Sequence, residues 1–333
     1  MKTNVFTSGE DGYHTYRIPA VLVATDGSLL AFCEGRRNDR SDHGDIDLLV
    51  KRSGDGGQSW SAQQIVYGEP GEVTIGNPCP VVDAETGTVW TLFCRDNVDV
   101  LVTKSTDDGL TWSDPVDITR DVKKQAWTWY ATGPGVGIQL RNGAHKGRLL
   151  IPCDHRNPDA YDCGSHSVYS DDGGTSWRLG GSVRPGANEC QFGEPAEGTV
   201  VMTTRMQTHS EGYRGTALSR DGGESWSGFR HDRNLPCPKC QASLVGGDRS
   251  NSLLFSNPSA PGPASPGGGE RVNMTVRLSN DGGKTWPQTK SLHEGPAAYS
   301  CLVTLPQNEV GCLYEAGTES PYEHIVFERF RLD

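Results

Sequence analysis

Short apolar runs of four to eight residues recur along the whole chain, rich in β-branched and aromatic side chains and bounded by Gly, Pro, Asn or Asp. That pattern predicts strands, and no run approaches the length of a membrane-spanning helix. The runs come in sets. In the first, RIPAVLVA, SLLAFCEG and DIDLLVKRS precede a polar turn and QQIVYG follows it. The second reads NPCPVVDA, TVWTLFCR, DVLVTKS and PVDIT. Each set predicts a four-stranded antiparallel meander, A-B-C-D.

The turn between C and D carries an octapeptide in five copies: SGDGGQSW (Ser53 to Trp60), STDDGLTW (Ser105 to Trp112), SDDGGTSW (Ser170 to Trp177), SRDGGESW (Ser219 to Trp226) and SNDGGKTW (Ser279 to Trp286). A pattern that returns at such intervals marks a repeat architecture. Its chemistry is that of a turn: Asp accepts backbone hydrogen bonds, Gly takes a positive φ, the hydroxyls cap the bend and Trp buries a large ring. A calcium loop would need alternating carboxylates, which these copies lack. After the fifth copy, YSCLVTLP, NEVGCLYE and EHIVFERFRL form A, B and C of a sixth unit, and NVFTS at the chain start supplies its outer strand. The expectation is an all-β, six-bladed β-propeller closed by the N-terminal strand, which shields sheet edges. Residues 1–333 then form one domain without a separate lectin or carbohydrate-binding module. The Pro, Gly and Ser stretch Asn257 to Glu270 reads as a loop inside the fifth unit.

Composition narrows the partners. A net charge of −11 disfavours nucleic acid, though a local arginine cluster would still hold a small anion. Of the ten cysteines, Cys33, Cys94, Cys153 and Cys312 lie within apolar runs and read as buried thiols; Cys237 and Cys240 lack the second half of a zinc site and read as structural. No metal or cofactor is expected. The start of the chain has no apolar leader, which points to the cytoplasm as written and to secretion if a signal peptide was trimmed; a monomer is expected.

In such meanders the start of A, the end of B and the start of C share one rim, and the octapeptides lie on the other. Arg17, Glu189 and Tyr299 stand at A starts. Arg36, Arg205 and Glu315 end B runs, beside Arg95, Asp96, Asp154 and His155; Asp42 lies in the first B-C loop, and Arg271 opens a C run. Three arginines around one mouth suit a carboxylate, which guanidinium binds bidentately. A Tyr beside a Glu pairs a phenol with a base, and Asp42 is placed as a general acid.

These residues resemble the sialidases, the exo-α-sialidases of glycoside hydrolase family thirty-three. Tyr16-Arg17-Ile18-Pro19 is similar to the family's YRIP motif and the octapeptides to its Asp-boxes; EGRR, SDHGDID, NECQ, ERVNM and AAYSCL follow in order across nearly the whole chain. The resemblance implies that Arg17, Arg205 and Arg271 bind a carboxylate and that Tyr299 is the nucleophile, with Glu189 its base and Asp42 the acid/base. It also implies that Arg36 contacts the substrate near O4 and that Glu315 orients Arg17; Asp96 is grouped with the substrate-binding residues. Arg37 is an alternative to Arg36, and Asp39 and Asp45 are alternatives to Asp42. Trp127, Trp129 and Tyr161 are candidates for an N-acyl pocket, each read in the first place as a packing residue. The implied partners are sialylated oligosaccharides, glycoproteins or glycolipids. A trans-sialidase, an intramolecular transferase, a hydrolase of the deaminated sugar and a non-catalytic glycan-binding propeller remain alternatives.

Overall fold

The predicted runs pair as antiparallel meanders. The computed structural model describes residues 1–159, 162–196, 198–247, 249–260 and 269–332; Tyr161 and the centre of the Asn257 to Glu270 stretch lie outside these. The first meander comprises Thr15–Val23, Leu29–Arg36, Ile46–Ser53 and Gln64–Tyr67, and the second Ile75–Val82, Val89–Arg95, Asp99–Ser105 and Val116–Asp117. The third runs Trp129–Thr132, Leu149–Arg156, Cys163–Ser170 and Arg178–Val183, with the short Ile138–Gln139 also paired to Leu149–Arg156. The fourth is Ala187–Ala196, Thr199–Met206, Tyr213–Ser219 and Ser227–Pro236.

The remaining strands form one seven-stranded sheet. Its centre is the 18-residue Gln288–Leu305. The strand pairs with Val272–Ser279 as far as Pro296, and from Ala297 it pairs with Glu309–Ala316. Beyond Glu309–Ala316 lie His324–Arg331 and then the N-terminal Lys2–Thr7, in the position expected for a closing strand. The inner strands of successive meanders pack in a ring: Thr15–Val23 touches both Ile75–Val82 and Gln288–Leu305, and Ala187–Ala196 touches both Leu149–Arg156 and Ser243–Gly246. This is a β-propeller arrangement, whose inner strands face a common axis.

Each octapeptide fastens one C-D turn. In the first, Ser59 N donates to Asp55 Oδ1 at 2.9 Å, Ser59 Oγ donates to Oδ2 at 2.6 Å, and Gly57 N donates to Ser53 Oγ at 2.9 Å. Asp107, Asp172, Asp221 and Asp281 repeat the arrangement, so each carboxylate is occupied within its own turn. Gly57 has φ +90, and a Cβ there would stand 2.3 Å from the Phe327 ring. The absence of a side chain thus lets the turn seat on its neighbour. Trp60 packs on Phe327, Trp112 on Phe32 and Trp177 on Trp90, each stitching its turn to the preceding unit. Trp226 stacks on Phe192 of its own unit while its Nε1 donates to Ser167 Oγ of the preceding one at 3.3 Å, and Trp286 packs on Phe255 of its own unit and in a cluster with Val201 of the preceding one. All ten cysteines are buried free thiols, including Cys237 and Cys240.

The turns carry a pH signature. Hydrogen bonds from Ser59 and Thr111 hold Asp55 and Asp107 down from 3.8 to about 2. Asp172, Asp221 and Asp281 are also lowered: burial pushes them up, but Ser176, Ser225 and Thr285 outweigh it. A carboxyl depressed by folding stabilises the native state above its unfolded value and loses that contribution as pH falls through its folded one. The melting temperature should therefore drop as pH falls from about 4 towards 2, as read by thermal denaturation. A flat profile across that window would contradict the assigned bonding.

Candidate active site

Side chains on the inner strands reach the axis because those strands are irregular there. Pairing shifts register between Arg17 and Ala20, Gly76 and Cys79, Ala187 and Cys190, and Ala297 and Ser300. Such bulges bend a strand and re-aim its side chains. Each one encloses or adjoins a residue of the cluster described below. Ile18 and Asn77 have φ of 62° and 57°. For β-branched Ile18 this conformation is strained and needs outside support. Glu315 provides it, accepting from Ile18 N at 2.9 Å.

Tyr299 lies at the centre, buried, with its hydroxyl donating to Glu189 Oε1. Arg205 Nη1 donates to Glu189 Oε2 at 2.9 Å and lies 3.4 Å from the Tyr299 oxygen. The Arg17 and Arg271 guanidinium carbons stand 5.1 and 5.7 Å from the Tyr299 ring centroid. The three predicted arginines therefore meet at one phenol. Glu315, fully buried, joins them: Oε1 accepts from Arg17 Nε at 2.7 Å and Oε2 from Tyr299 N at 3.0 Å. Burial and then the Glu189 charge push the Tyr299 phenol well above its ordinary 10.0, against the pull of Arg205, Arg271 and Arg17. The phenol is thus neutral at physiological pH.

Two of the arginines have unused capacity. Arg271 bonds only neutral oxygens, Tyr322 Oη at 3.1 Å and Lys239 O at 3.1 Å, and has no carboxylate partner among the described residues. Arg205 Nε is buried without a hydrogen-bond partner. Half-buried guanidiniums with donors left over favour a ligand anion, since a desolvated donor without a partner is costly.

Asp42 stands at the mouth on the loop after Leu29–Arg36, its side chain 77% exposed. Its Oδ1 is 2.8 Å from Arg36 Nη1 and 3.8 Å from Arg17 Nη1. Partial removal from water pushes its carboxyl up, but the charge and hydrogen bond of Arg36, followed by Arg17, hold it below the ordinary carboxylate value. Arg36 is itself gripped by buried Glu34 at 3.1 and 2.7 Å. Arg37 instead turns to Asp47 at 2.5 Å and Asp45 at 3.3 Å, and Asp39 caps Ser41 N at 2.7 Å. Among the alternatives, only Arg36 and Asp42 pair with each other at the cluster.

A cavity of about 190 Å³ opens between Tyr299, Glu189, Asp42 and Arg36, with Asn77, Asn97 and Trp129 on its other walls. Neither Asp96 nor the arginines Arg17, Arg205 and Arg271 are among its lining residues. The Asp96 carboxylate accepts from Thr74 N at 2.9 Å, and the neighbouring Asn97 faces the cavity instead. Trp127 is packing, stacked on His155 at 3.7 Å, whereas Trp129 is a wall residue. Asp154 is fully buried, accepts from Asn188 Nδ2, and is pushed well up by burial and the Glu189 charge. Sequence reasoning missed Glu34, Asn77, Asn97 and Tyr322. Asn77-Pro78 opens the second unit as Ile18-Pro19 opens the first, and that parallel was a usable signal. Tyr322, in a loop without a motif, offered none.

Comparison with known proteins identifies the family. Residues 27–312 match the family described as BNR repeat-like domain. A sialidase of Micromonospora viridifaciens is 38% identical over 95% of this chain, and an exo-alpha-sialidase of Aspergillus fumigatus is 32% identical over 96% of it. The chain spans 52% of the first protein's length and 85% of the second's. The solved structure of Hadza microbial sialidase Hz136 superposes with a TM-score of 0.88 at 31% identity, covering 100% of this chain and 68% of that one. With its repeated Asp turns, inner-strand bulges and arginine-ringed tyrosine, the chain belongs to the sialidase family of BNR-repeat proteins.

Proposed function

We propose that the protein is a retaining exo-α-sialidase that releases terminal sialic acid from oligosaccharides, glycoproteins or glycolipids through a covalent tyrosyl intermediate. The observation that carries this reading is the Tyr299–Glu189 hydrogen bond inside a ring of three arginines. Sialic acid bears its carboxylate on the anomeric carbon, and an anionic nucleophile would be repelled by it. A neutral phenol avoids the repulsion, and sialidases are the known exception to carboxylate nucleophiles among glycosidases. Arg17, Arg205 and Arg271 hold the substrate carboxylate and fix the ring for attack.

In the first step Tyr299 Oη attacks the anomeric carbon and its proton passes to Glu189. Asp42 gives a proton to the departing glycosidic oxygen. In the second, Asp42 takes a proton from water, which displaces Tyr299; Glu189 returns the proton to the phenolate. Each proton has a side chain to carry it, so no metal or cofactor is invoked. Two displacements at one carbon retain configuration. NMR observation of the first-released sugar should show the α-anomer before mutarotation; initial appearance of the β-anomer would overturn the mechanism.

The cycle requires Asp42 protonated at the start, although Arg36 and Arg17 disfavour that form in the free protein. A bound substrate carboxylate offsets those charges and raises the Asp42 carboxyl. Arg36→Met should likewise raise it, because the first of the two cations is removed. The alkaline limb of the kcat/KM profile should then move to higher pH, whatever the loss in absolute rate. An unmoved limb would mean that another group governs it.

A six-bladed count is part of the same reading. The switch of partners between Pro296 and Ala297 lets the seven-stranded sheet be counted as two blades sharing Gln288–Leu305, added to four meanders.

A further inference from the structure

Asp42 rides on an exposed loop, residues 37–43, whose internal bonds are short-range. Arg36 Nη1 donates to Arg40 O at 2.7 Å, Arg37 N to Asp45 O at 3.1 Å, and His43 N to Ser41 Oγ at 3.1 Å. Among the described residues, one side chain ties the end of this loop to another meander, beside a backbone bond from Ile46 N to Val73 O at 3.2 Å. The side chain is that of Thr74, just before Ile75–Val82. The Thr74 hydroxyl accepts from Gly44 N at 3.0 Å and lies 3.3 Å from Gly44 O, to which it donates. Gly44, two residues beyond Asp42, has φ +136, which a residue with a side chain would hold only under strain.

Thr74 is itself clamped. It is buried, and Asp96 grips its peptide from both ends: Asp96 Oδ1 accepts from Thr74 N at 2.9 Å, and Asp96 N donates to Thr74 O at 2.8 Å. A chain of contacts therefore runs from Asp96 through Thr74 to Gly44 and the Asp42 loop. Asp96, Thr74 and Gly44 are not among the cavity's lining residues, and the chain reaches it only at His43 and Asp42.

We propose that Thr74, held by Asp96, is a positioning residue that sets the reach of the Asp42 carboxyl to the leaving oxygen. The inference rests on the sialidase reading and on Asp42 as the acid. It distinguishes substrates by their leaving groups. A sugar alkoxide is strongly basic and departs only when protonated, whereas a nitrophenolate departs without help, so misplacing the acid harms the first far more than the second.

The test compares kcat/KM, which reports events up to departure of the leaving group, on a sialyl disaccharide and a nitrophenyl sialoside. Variants are Thr74→Val, Thr74→Ser and Asp96→Ala, with Asp42→Ala as the reference. Because a displacement of about 1 Å costs roughly 10²-fold, Thr74→Val should lose about tenfold or more on the disaccharide and less than about twofold on the nitrophenyl substrate. Thr74→Ser, which keeps the hydroxyl, should restore the disaccharide rate, and Asp96→Ala should show the same asymmetry to a smaller degree. Melting curves of all four variants identify any that fail to fold, and Thr74→Ser and Asp96→Ala test the chain of contacts independently of Thr74→Val. Equal losses on both substrates, no loss on the disaccharide, or failure of serine to rescue would overturn the proposal while the sialidase reading stands. A wild type that cleaves neither substrate overturns that reading, and this inference with it.

Discussion

Replacing Tyr299 with Phe should lower kcat/KM on a fluorogenic sialoside by roughly 10³-fold or more, because the atom that forms the covalent bond is gone while its surroundings remain. The phenyl ring still lies beside Arg17 and Arg271, and Glu189 keeps its bond to Arg205 at 2.9 Å. The change leaves Glu189 Oε1 without its donor, at a cost of about 1–3 kcal/mol, which lowers the melting temperature by a few degrees without unfolding the protein. Activity and melting should therefore separate. A variant that melts normally and still turns over near the wild-type rate would remove Tyr299 from the nucleophile role. The residual rate is also informative: the arginines bind the carboxylate in wild type and variant alike, so KM should move much less than kcat.

Glu315→Ala should act on stability and binding together. The carboxylate is fully buried and holds Arg17 Nε, Ile18 N and Tyr299 N at 2.7, 2.9 and 3.0 Å. Its removal strands a buried guanidinium and releases the positive φ of Ile18 from its restraint. Breaking a buried pair of this kind costs about 3–5 kcal/mol. Differential scanning calorimetry should show a clear fall in melting temperature, and KM should rise because Arg17 is no longer aimed at the substrate carboxylate. Glu315→Gln retains the volume but sets an amide N–H against one of three donors, so it should fall between wild type and Ala on both measures. Unchanged melting and KM in both variants would show that Glu315 is a spectator.

Both predictions concern residues that were named from sequence, where the resemblance also implied the Tyr299–Glu189 and Glu315–Arg17 pairings; the bonds of Glu315 to Ile18 N and Tyr299 N were not foreseen. Strand runs and turns were legible because their signals are local: alternating side chains, Gly where φ is positive, and an Asp that bonds its own turn. The same locality made the order A-B-C-D and the closing N-terminal strand readable, and order alone sorted Arg17, Glu189, Tyr299 and the octapeptides onto opposite rims. The choice between Arg36 and Arg37 was not readable. Adjacent strand residues point to opposite faces, and which face looks inward depends on Glu34 and Asp47 gripping one arginine each. The contacts of Asp96 were not readable for a related reason. Its place at a strand end put it on the right rim, but its positive φ and its clamp on Thr74 turn it away from the cavity and leave Asn97 there.

The sequence by itself determined the repeating meander, the fastening role of the five Asp turns and the cast of charged residues at one mouth, because these follow from spacing and from chemistry within a few bonds of each residue. Only the tertiary structure decided how that cast is arranged. Glu315 and Ile18 are 297 residues apart, and Glu189 and Tyr299 are 110 apart. Contacts across such separations depend on ring closure and on four bulged inner strands, and no local pattern encodes where a closed ring brings its members together.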